Sequence, residues 1–150
     1  MTRPLSGIRV LELGNLLAGP FCGMLLGDMG ADVIKIEPRR FGDMIRNTSP
    51  HLQGESANYI AINRNKRSIA IDLKQAAGRD IVLRLAEASD LVLENFRPGV
   101  MEQLGLGSVT FAPSIQRLSM SPSPVLAKPV RSATAPRSTW SSRLRPDRCL

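Results

Sequence analysis

Two periods of hydrophobic and polar residues alternate along the first part of this chain. Ile8–Leu13 (IRVLEL) is a short, mainly apolar run and predicts a buried strand. Gly14 to Gly19 then turn the chain, and Pro20 suits the first turn of a helix, where its missing N–H costs nothing. FCGMLLGDMG continues that helix to Gly30, a C-cap. Asp32–Glu37 (DVIKIE) predicts a second strand. A strand, helix and strand at this spacing form a right-handed βαβ unit with parallel strands. Pro38 to Asn65 is polar and reads as a long loop with one short element. Arg67–Leu73 (RSIAIDL) is again strand-like. Ala76–Ala88 is an amphipathic helix with Ile81, Leu85 and Ala88 on one face and Val82 beside them. Asp90–Asn95 closes a second unit and Pro98–Leu104 starts another helix. The fold class predicted is α/β, a Rossmann-like parallel sheet of incomplete βαβ units.

Beyond Gly107 neither period continues. Composition shifts at the same point. Residues 1–107 hold 13 Lys and Arg against 12 Asp and Glu, whereas residues 108–150 hold 7 against one, Asp147. The formal net charge of +7 is therefore a property of the tail. With 9 Ser and 6 Pro among its 43 residues, the tail has little apolar surface to bury and is expected to stay largely disordered. The division expected is 1–107 as a Rossmann-like domain part and 108–150 as a basic Ser/Pro/Arg-rich tail.

Cys22 and Cys149 have no metal-like or redox-like spacing partner. No run of 18 apolar residues predicts a membrane span, and MTRPLSGIRV has no signal-peptide core. These features point to a reduced, cytoplasmic protein without a resident metal or a membrane partner.

Open α/β sheets take ligands beyond the carboxyl ends of their strands. Those ends are Gly14–Ala18, Glu37–Arg40, Asp72–Lys74 and Asn95–Arg97. Three of the four carry cations: Arg39 and Arg40, Lys74, and Arg97. Helix N-termini at Gly19 and Pro98 add positive dipole ends nearby, so a phosphorylated ligand is expected. Each cation taken alone reads as a solvated surface charge; their shared position at the sheet edge points to a common ligand. Gly14, Gly19 and Gly23 do not spell GxGxxG, and by themselves they read as tight turning and close helix packing. His51 reads as a lone exposed histidine. Asp28, Asp32, Glu37 and Asp43 are carboxylates without a paired or triad arrangement; Asp28 is expected to face solvent and Asp43 to sit in a Gly-Asp turn.

PLSGIRVLELGNLLAGPFCGMLLGDMGADVIKIEPRRFGDMIR, NRNKRSIAIDLK and LVLENFRPGVMEQLGLG together resemble the N-terminal end of class III CoA-transferases, the CaiB/BaiF family. Formyl-CoA transferase, carnitine CoA-transferase and α-methylacyl-CoA racemase share that fold. The resemblance runs almost continuously over residues 4–107. It implies an interlocked homodimer of much longer chains, with coenzyme A or acyl-CoA as a substrate rather than a permanent cofactor, and a carboxylic acid as acceptor. In such transferases an Asp carboxylate attacks the acyl-CoA thioester, a mixed anhydride forms, and the thiolate is held and recaptured. The resemblance places CoA contacts at Leu17, Ala18, Arg39, Ile71, Asp72, Leu73, Lys74, Asn95, Phe96, Arg97 and Gln103. Formyl-CoA transferase has glutamine where this chain has Leu17, and arginine where it has Pro38; Arg39 could supply the second. The catalytic Asp falls on no residue of this chain.

After MEQLGLG the family continues with a helix and then NP…VYVSVSGFGQTGP. The genetic code permits that segment here in a shifted frame. Joining the last base of each codon to the first two of the next, Ser114-Ile115 can give Asn (AAT), Ile115-Gln116 Pro (CCA) and Gln116-Arg117 Ala (GCG). Continued to Arg131, the shifted frame permits NPALVYVSVSGFGQTGP, and further on FGDRP and DLVVQA. Residues from about Ser108 onward are therefore expected to be an out-of-frame reading, and the chain to be an inactive fragment. The racemase branch needs a His codon before the Asp of DLVVQA. Arg137-Ser138 cannot supply one, which favours transferase over 2-methylacyl-CoA racemase. A module that binds CoA or nucleic acid through the basic tail is a rival of another class. Nucleic acid is disfavoured because the basic tail itself is read as out of frame.

Overall fold

The computed structural model describes residues 3–107 and 116–119. Its elements are β1 (Arg9–Leu13), α1 (Ala18–Asp28), β2 (Asp32–Pro38), β3 (His51–Leu52), β4 (Glu55–Ser56), α2 (Ala57–Asn63), β5 (Lys66–Ile71), α3 (Ala76–Glu87), β6 (Leu91–Glu94), α4 (Val100–Gln103) and β7 (Gln116–Ser119). Five strands form one sheet in the order β5-β2-β1-β6-β7, and every neighbouring pair is parallel. From β1 the chain builds outward through β2 to β5, then returns to place β6 on the other side of β1. The order reverses between β1 and β6, the kind of switch point where open α/β sheets bind ligands.

Helices on both faces bury the middle of the sheet, which is why β1 and β6 are so apolar. On one face Leu11, Leu13, Ile36 and Val92 pack with Val82 and Ala86 of α3, Met101 of α4, and Leu106. On the other, Val10, Val33 and Leu93 pack with Ala31, Leu26 and Cys22. Burial raises the Cys22 thiol above its ordinary pKa, and the nearby Glu12 carboxylate adds to the rise.

The α/β class and the βαβ units agree with the sequence reading, but several details differ. The polar stretch from Pro38 to Asn65 holds a 3-10 turn at Met44–Asn47, the β3–β4 pair and α2. The turn is capped by Asp43 and α2 by Ser56, whose side chains accept from Ile45 N–H and Tyr59 N–H. These short elements are held by polar caps rather than an apolar stripe, so hydrophobic periodicity does not reveal them. The inward face of α3 is Gly78, Val82 and Ala86, spaced by four; Ile81 and Ala88 are exposed. Gly78 leads that face because a Cβ there would stand 2.1 Å from the Asp72 carbonyl oxygen, so only glycine lets the helix start this close to β5. The expected helix from Pro98 shortens to the four residues of α4, entered through Gly99 at φ 86°. Within the expected disordered tail, Gln116–Ser119 runs as β7 beside β6. The rest of 108–150 lies outside the described residues.

Gly23 of α1 sits over Glu12 of β1. A Cβ at Gly23 would stand 2.0 Å from Glu12 Oε2, well inside contact distance. Gly23→Ala is therefore expected to destabilise the chain by about 2–3 kcal/mol, since the buried carboxylate cannot move out of its ion pairs to make room. Urea unfolding of the variant measures this, and a change below about 0.5 kcal/mol would contradict it.

Candidate functional site

The β1–α1 turn is built from two asparagines and a strained leucine. Asn95, just past β6, accepts from Asn15 N–H at 2.8 Å and donates to the Asn15 carbonyl at 2.8 Å. A Cβ on Gly19 would lie 3.1 Å from Asn95 Oδ1, so this glycine makes room for that pairing. Leu16 adopts φ 64°, the left-handed region that non-glycine residues avoid. Its N–H donates to Asp43 Oδ1 at 2.9 Å.

Beneath the turn lies a buried set of charges. Glu12 of β1 and Lys35 of β2 are register partners in the sheet, and their side chains lie on the face toward α1. Lys35 Nζ donates to Glu12 Oε1 at 2.8 Å and to the Gly14 carbonyl at 2.9 Å, and stands 2.8 Å from Asp43 Oδ2. Lys66 Nζ, at the start of β5, lies 2.9 Å from Glu12 Oε2 and donates to the Pro20 carbonyl and Asn63 Oδ1. The contacts of Asp43 Oδ2 and Glu12 Oε2 are ion pairs without hydrogen-bond alignment. Two ammonium groups thus face two carboxylates, so the cluster carries no net charge. Burial lowers the Lys66 pKa, with Glu12 opposing that shift.

Glu37, at the end of β2, is a second hub. Its Oε2 accepts from Asp43 N–H at 2.9 Å and Arg46 Nε at 2.8 Å. Its Oε1 accepts from Arg46 Nη2, Tyr59 and Ser68. Burial raises the carboxyl, but hydrogen bonds from Arg46, Ser68, Asp43 N–H and Tyr59 together outweigh it and hold Glu37 down to about 2. Burial and the bond to Glu37 push the Tyr59 hydroxyl up. The Arg46 guanidinium also lies over the Tyr59 ring, 3.7 Å from its centroid.

Above these hubs, at the carboxyl edge of the sheet, opens a cleft of about 670 Å³. Leu13, Ile36, Ile71, Phe96 and Leu104 give it apolar walls, and Arg39, Arg40 and Lys74 give it cations. Of the residues singled out from sequence, Arg39, Ile71, Asp72, Leu73, Lys74 and Phe96 line this cleft together. Arg97 lines a smaller neighbouring pocket with Phe96, Pro98 and Glu102. Asn95 spends its amide on the β1–α1 turn. Leu17 is 61% exposed at the start of α1; Ala18 and Gln103 are also exposed. His51 is exposed, as expected. Asp28 is half-buried, accepting from Arg64 and Asn65, and Asp32 pairs with Arg9 and Arg67 at the surface. Among the described residues no group of His, Cys, Asp and Glu is placed to hold a metal ion, and no helix is long and apolar enough to cross a membrane.

The sequence model of CoA-transferase family III matches residues 5–118. The chain belongs to that family. Over 106 residues it is 53% identical to succinyl-CoA–D-citramalate CoA-transferase of Chloroflexus aurantiacus, covering 70% of this chain and 26% of that protein. It is 45% identical over 106 residues to human succinyl-CoA:glutarate CoA-transferase, covering 70% and 24%. A CaiB/BaiF family protein from Brucella suis superposes with a TM-score of 0.73 at 38% identity, covering 79% of this chain and 33% of that one. This family III chain thus spans about a quarter of the length of the curated relatives it matches.

What sequence reading missed in this family III domain is the buried charge cluster and the Glu37 hub. The signal was present: VLEL carries one charge, Glu12, and VIKIE two, Lys35 and Glu37, among apolar strand residues. Because folding lowers the Glu37 pKa from 4.5 to about 2, its stabilisation is complete above about pH 4.5 and is lost as pH falls toward 2. Glu37→Gln is expected to cost roughly 2–3 kcal/mol at pH 7, allowing for solvent screening at the partly exposed Arg46. The gap from the parent chain should close as pH falls below 4.5. Urea unfolding across pH checks this, and a gap that stays constant would contradict it.

Proposed function

We propose that this chain is the N-terminal portion of an acyl-CoA:carboxylate CoA-transferase and contributes one wall of the coenzyme A site. The observation that carries the reading is the cleft at the carboxyl edge of the sheet, where Arg39, Arg40 and Lys74 stand over apolar walls. Coenzyme A has the matching composition: three phosphates beside an adenine and a long thiol-bearing arm. The cations can make charge-assisted hydrogen bonds to phosphate, while Leu13, Ile36, Ile71 and Phe96 can take the less polar parts. The other candidate contacts, Leu17, Ala18, Asn95, Arg97 and Gln103, belong to the same proposal. Leu17, exposed at the turn, cannot hydrogen-bond a reacting carboxyl and would present an apolar surface to it.

Relatives named for succinyl-CoA support succinyl-CoA as donor and a dicarboxylate as acceptor. Transfer of this kind needs a carboxylate nucleophile to form the acyl anhydride and release CoA thiolate. No carboxylate described here takes that role in the proposal. Glu12, Asp43 and Glu37 are all committed to buried ion pairs or hydrogen bonds. The chain as written is accordingly proposed to be inactive, with its frame lost between Gly107 and Ser114.

Titration calorimetry with CoA tests the cleft. Arg39→Ala and Lys74→Ala should each weaken binding about tenfold or more, in line with roughly 1.5–3 kcal/mol for a hydrogen bond to a charged group. Unchanged affinity in both variants would overturn the assignment. In a mass-spectrometric exchange assay with succinyl-CoA and a dicarboxylate, the 150-residue chain should give no turnover. The gene with its frame restored near Gly107 should give exchange. Turnover by the purified chain would refute the fragment reading. Racemisation of a 2-methylacyl-CoA by the repaired protein, without exchange, would move it to the racemase branch.

A further inference from the structure

We infer that Asp43 is the positioning residue that couples two walls of the cleft, the Asn15–Leu17 turn and the Pro38–Gly42 loop. The coupling stands on geometry alone; its consequence for CoA rests on the reading above.

Asn15 lines the cleft from the turn, and Arg39, Arg40 and Phe41 line it from the loop. Asp43 follows that loop directly and is fully buried. Its polar atoms reach the β1–α1 turn, the 3-10 turn that follows the loop, and two side chains of β2. Its Oδ1 accepts from Leu16 N–H in the turn at 2.9 Å and from Ile45 N–H at 3.1 Å. Its Oδ2 faces Lys35 Nζ at 2.8 Å, and the same ammonium holds the Gly14 carbonyl at 2.9 Å. Its own N–H donates to Glu37 Oε2 at 2.9 Å, next to the Gly42-to-Pro38 backbone bond that closes the loop.

Two features make this more than loop packing. Leu16 sits at φ 64°, a conformation a leucine keeps only when surrounding contacts over-determine it, and Asp43 supplies such a contact. In addition, one buried carboxylate joins the turn, the loop and a lysine of the central sheet. A shift in either wall must therefore strain the other. A carboxylate suits this post because Oδ1 can serve backbone donors while Oδ2 meets the ammonium; an asparagine that offers its oxygen to those donors turns an N–H₂ against the Lys35 ammonium, and that repulsion loosens its hold on Leu16 N–H.

The test is amide hydrogen exchange on the full chain, followed at Leu16 and Gly42, combined with CoA titration. Asp43→Asn should lower the protection of the Leu16 amide at least tenfold. Glu37→Gln, altered on the loop side, should also lower protection at Leu16. CoA affinity of Asp43→Asn should fall about tenfold. Adding Leu16→Gly should recover part of that loss, because glycine reaches positive φ without steric cost. A role for Asp43 only in the stability of the sheet would not be relieved at Leu16. Unchanged Leu16 protection in Asp43→Asn, or a Glu37→Gln effect confined to the loop, overturns the coupling. If Asp43→Asn does not fold, the Glu37→Gln result decides. If the parent chain binds no CoA, the CoA reading fails and the exchange results alone decide the coupling.

Discussion

The Lys35 ammonium, with its side chain 1% exposed, is the contact on which the carboxyl edge of the sheet depends. An isolated charge at that depth would cost many kcal/mol, so its partners are obligatory. Glu12 and Asp43 supply opposite charge from two directions, and the Gly14 carbonyl fills a further donor position. Lys66 then pairs with the other oxygen of Glu12, so two ammonium groups balance two carboxylates. Each charge is held by neighbours on other elements: β1, β2, β5, and the loop after β2. Gly23 completes the arrangement by leaving α1 without a side chain where Glu12 needs space. Such a cluster is poor evidence of stability gained over an apolar core, but it does fix geometry, because removing any one member strands the others.

That fixed geometry lies directly under the cleft. The ammonium and Asp43 hold the β1–α1 turn from below, and Asn95 pairs with Asn15 from the β6 side. Glu37 stitches the cation-bearing loop back to Arg46, Tyr59 and Ser68. Turns and loops that carry glycines and arginines are here tied to strands by buried ionic contacts. A ligand then meets walls that are already in place, which reduces the ordering cost of binding.

Much of this was legible in the sequence. Apolar runs bounded by turns located β1, β2, β5 and β6, and the rule about carboxyl ends brought Arg39 and Lys74 to one cleft. Reading Gly14, Gly19 and Gly23 as residues of close approach agrees with what stands beside Gly19 and Gly23, the Asn95 and Glu12 side chains. What escaped was set by relations between distant segments. Glu12 and Lys35 lie far apart in the sequence among apolar strand residues; only the pairing of β1 with β2 shows that they meet. Asp43 looked like part of a Gly-Asp turn because its partners, Leu16 and Lys35, lie 27 and 8 positions away. On α3, spacing alone favoured the bulky Ile81, whereas Gly78 decides which face can approach the sheet.

The most direct measurement of the central claim is a double-mutant cycle on the buried pair, using urea unfolding of Lys35→Met, Glu12→Gln and the two together. If Lys35 anchors the sheet edge, Lys35→Met alone should cost about 3–5 kcal/mol, because it leaves buried carboxylates without their counter-charge. The double variant should then cost less than the two singles combined, by at least about 1 kcal/mol. Additive effects, with Lys35→Met within about 1 kcal/mol of the parent chain, would contradict the account.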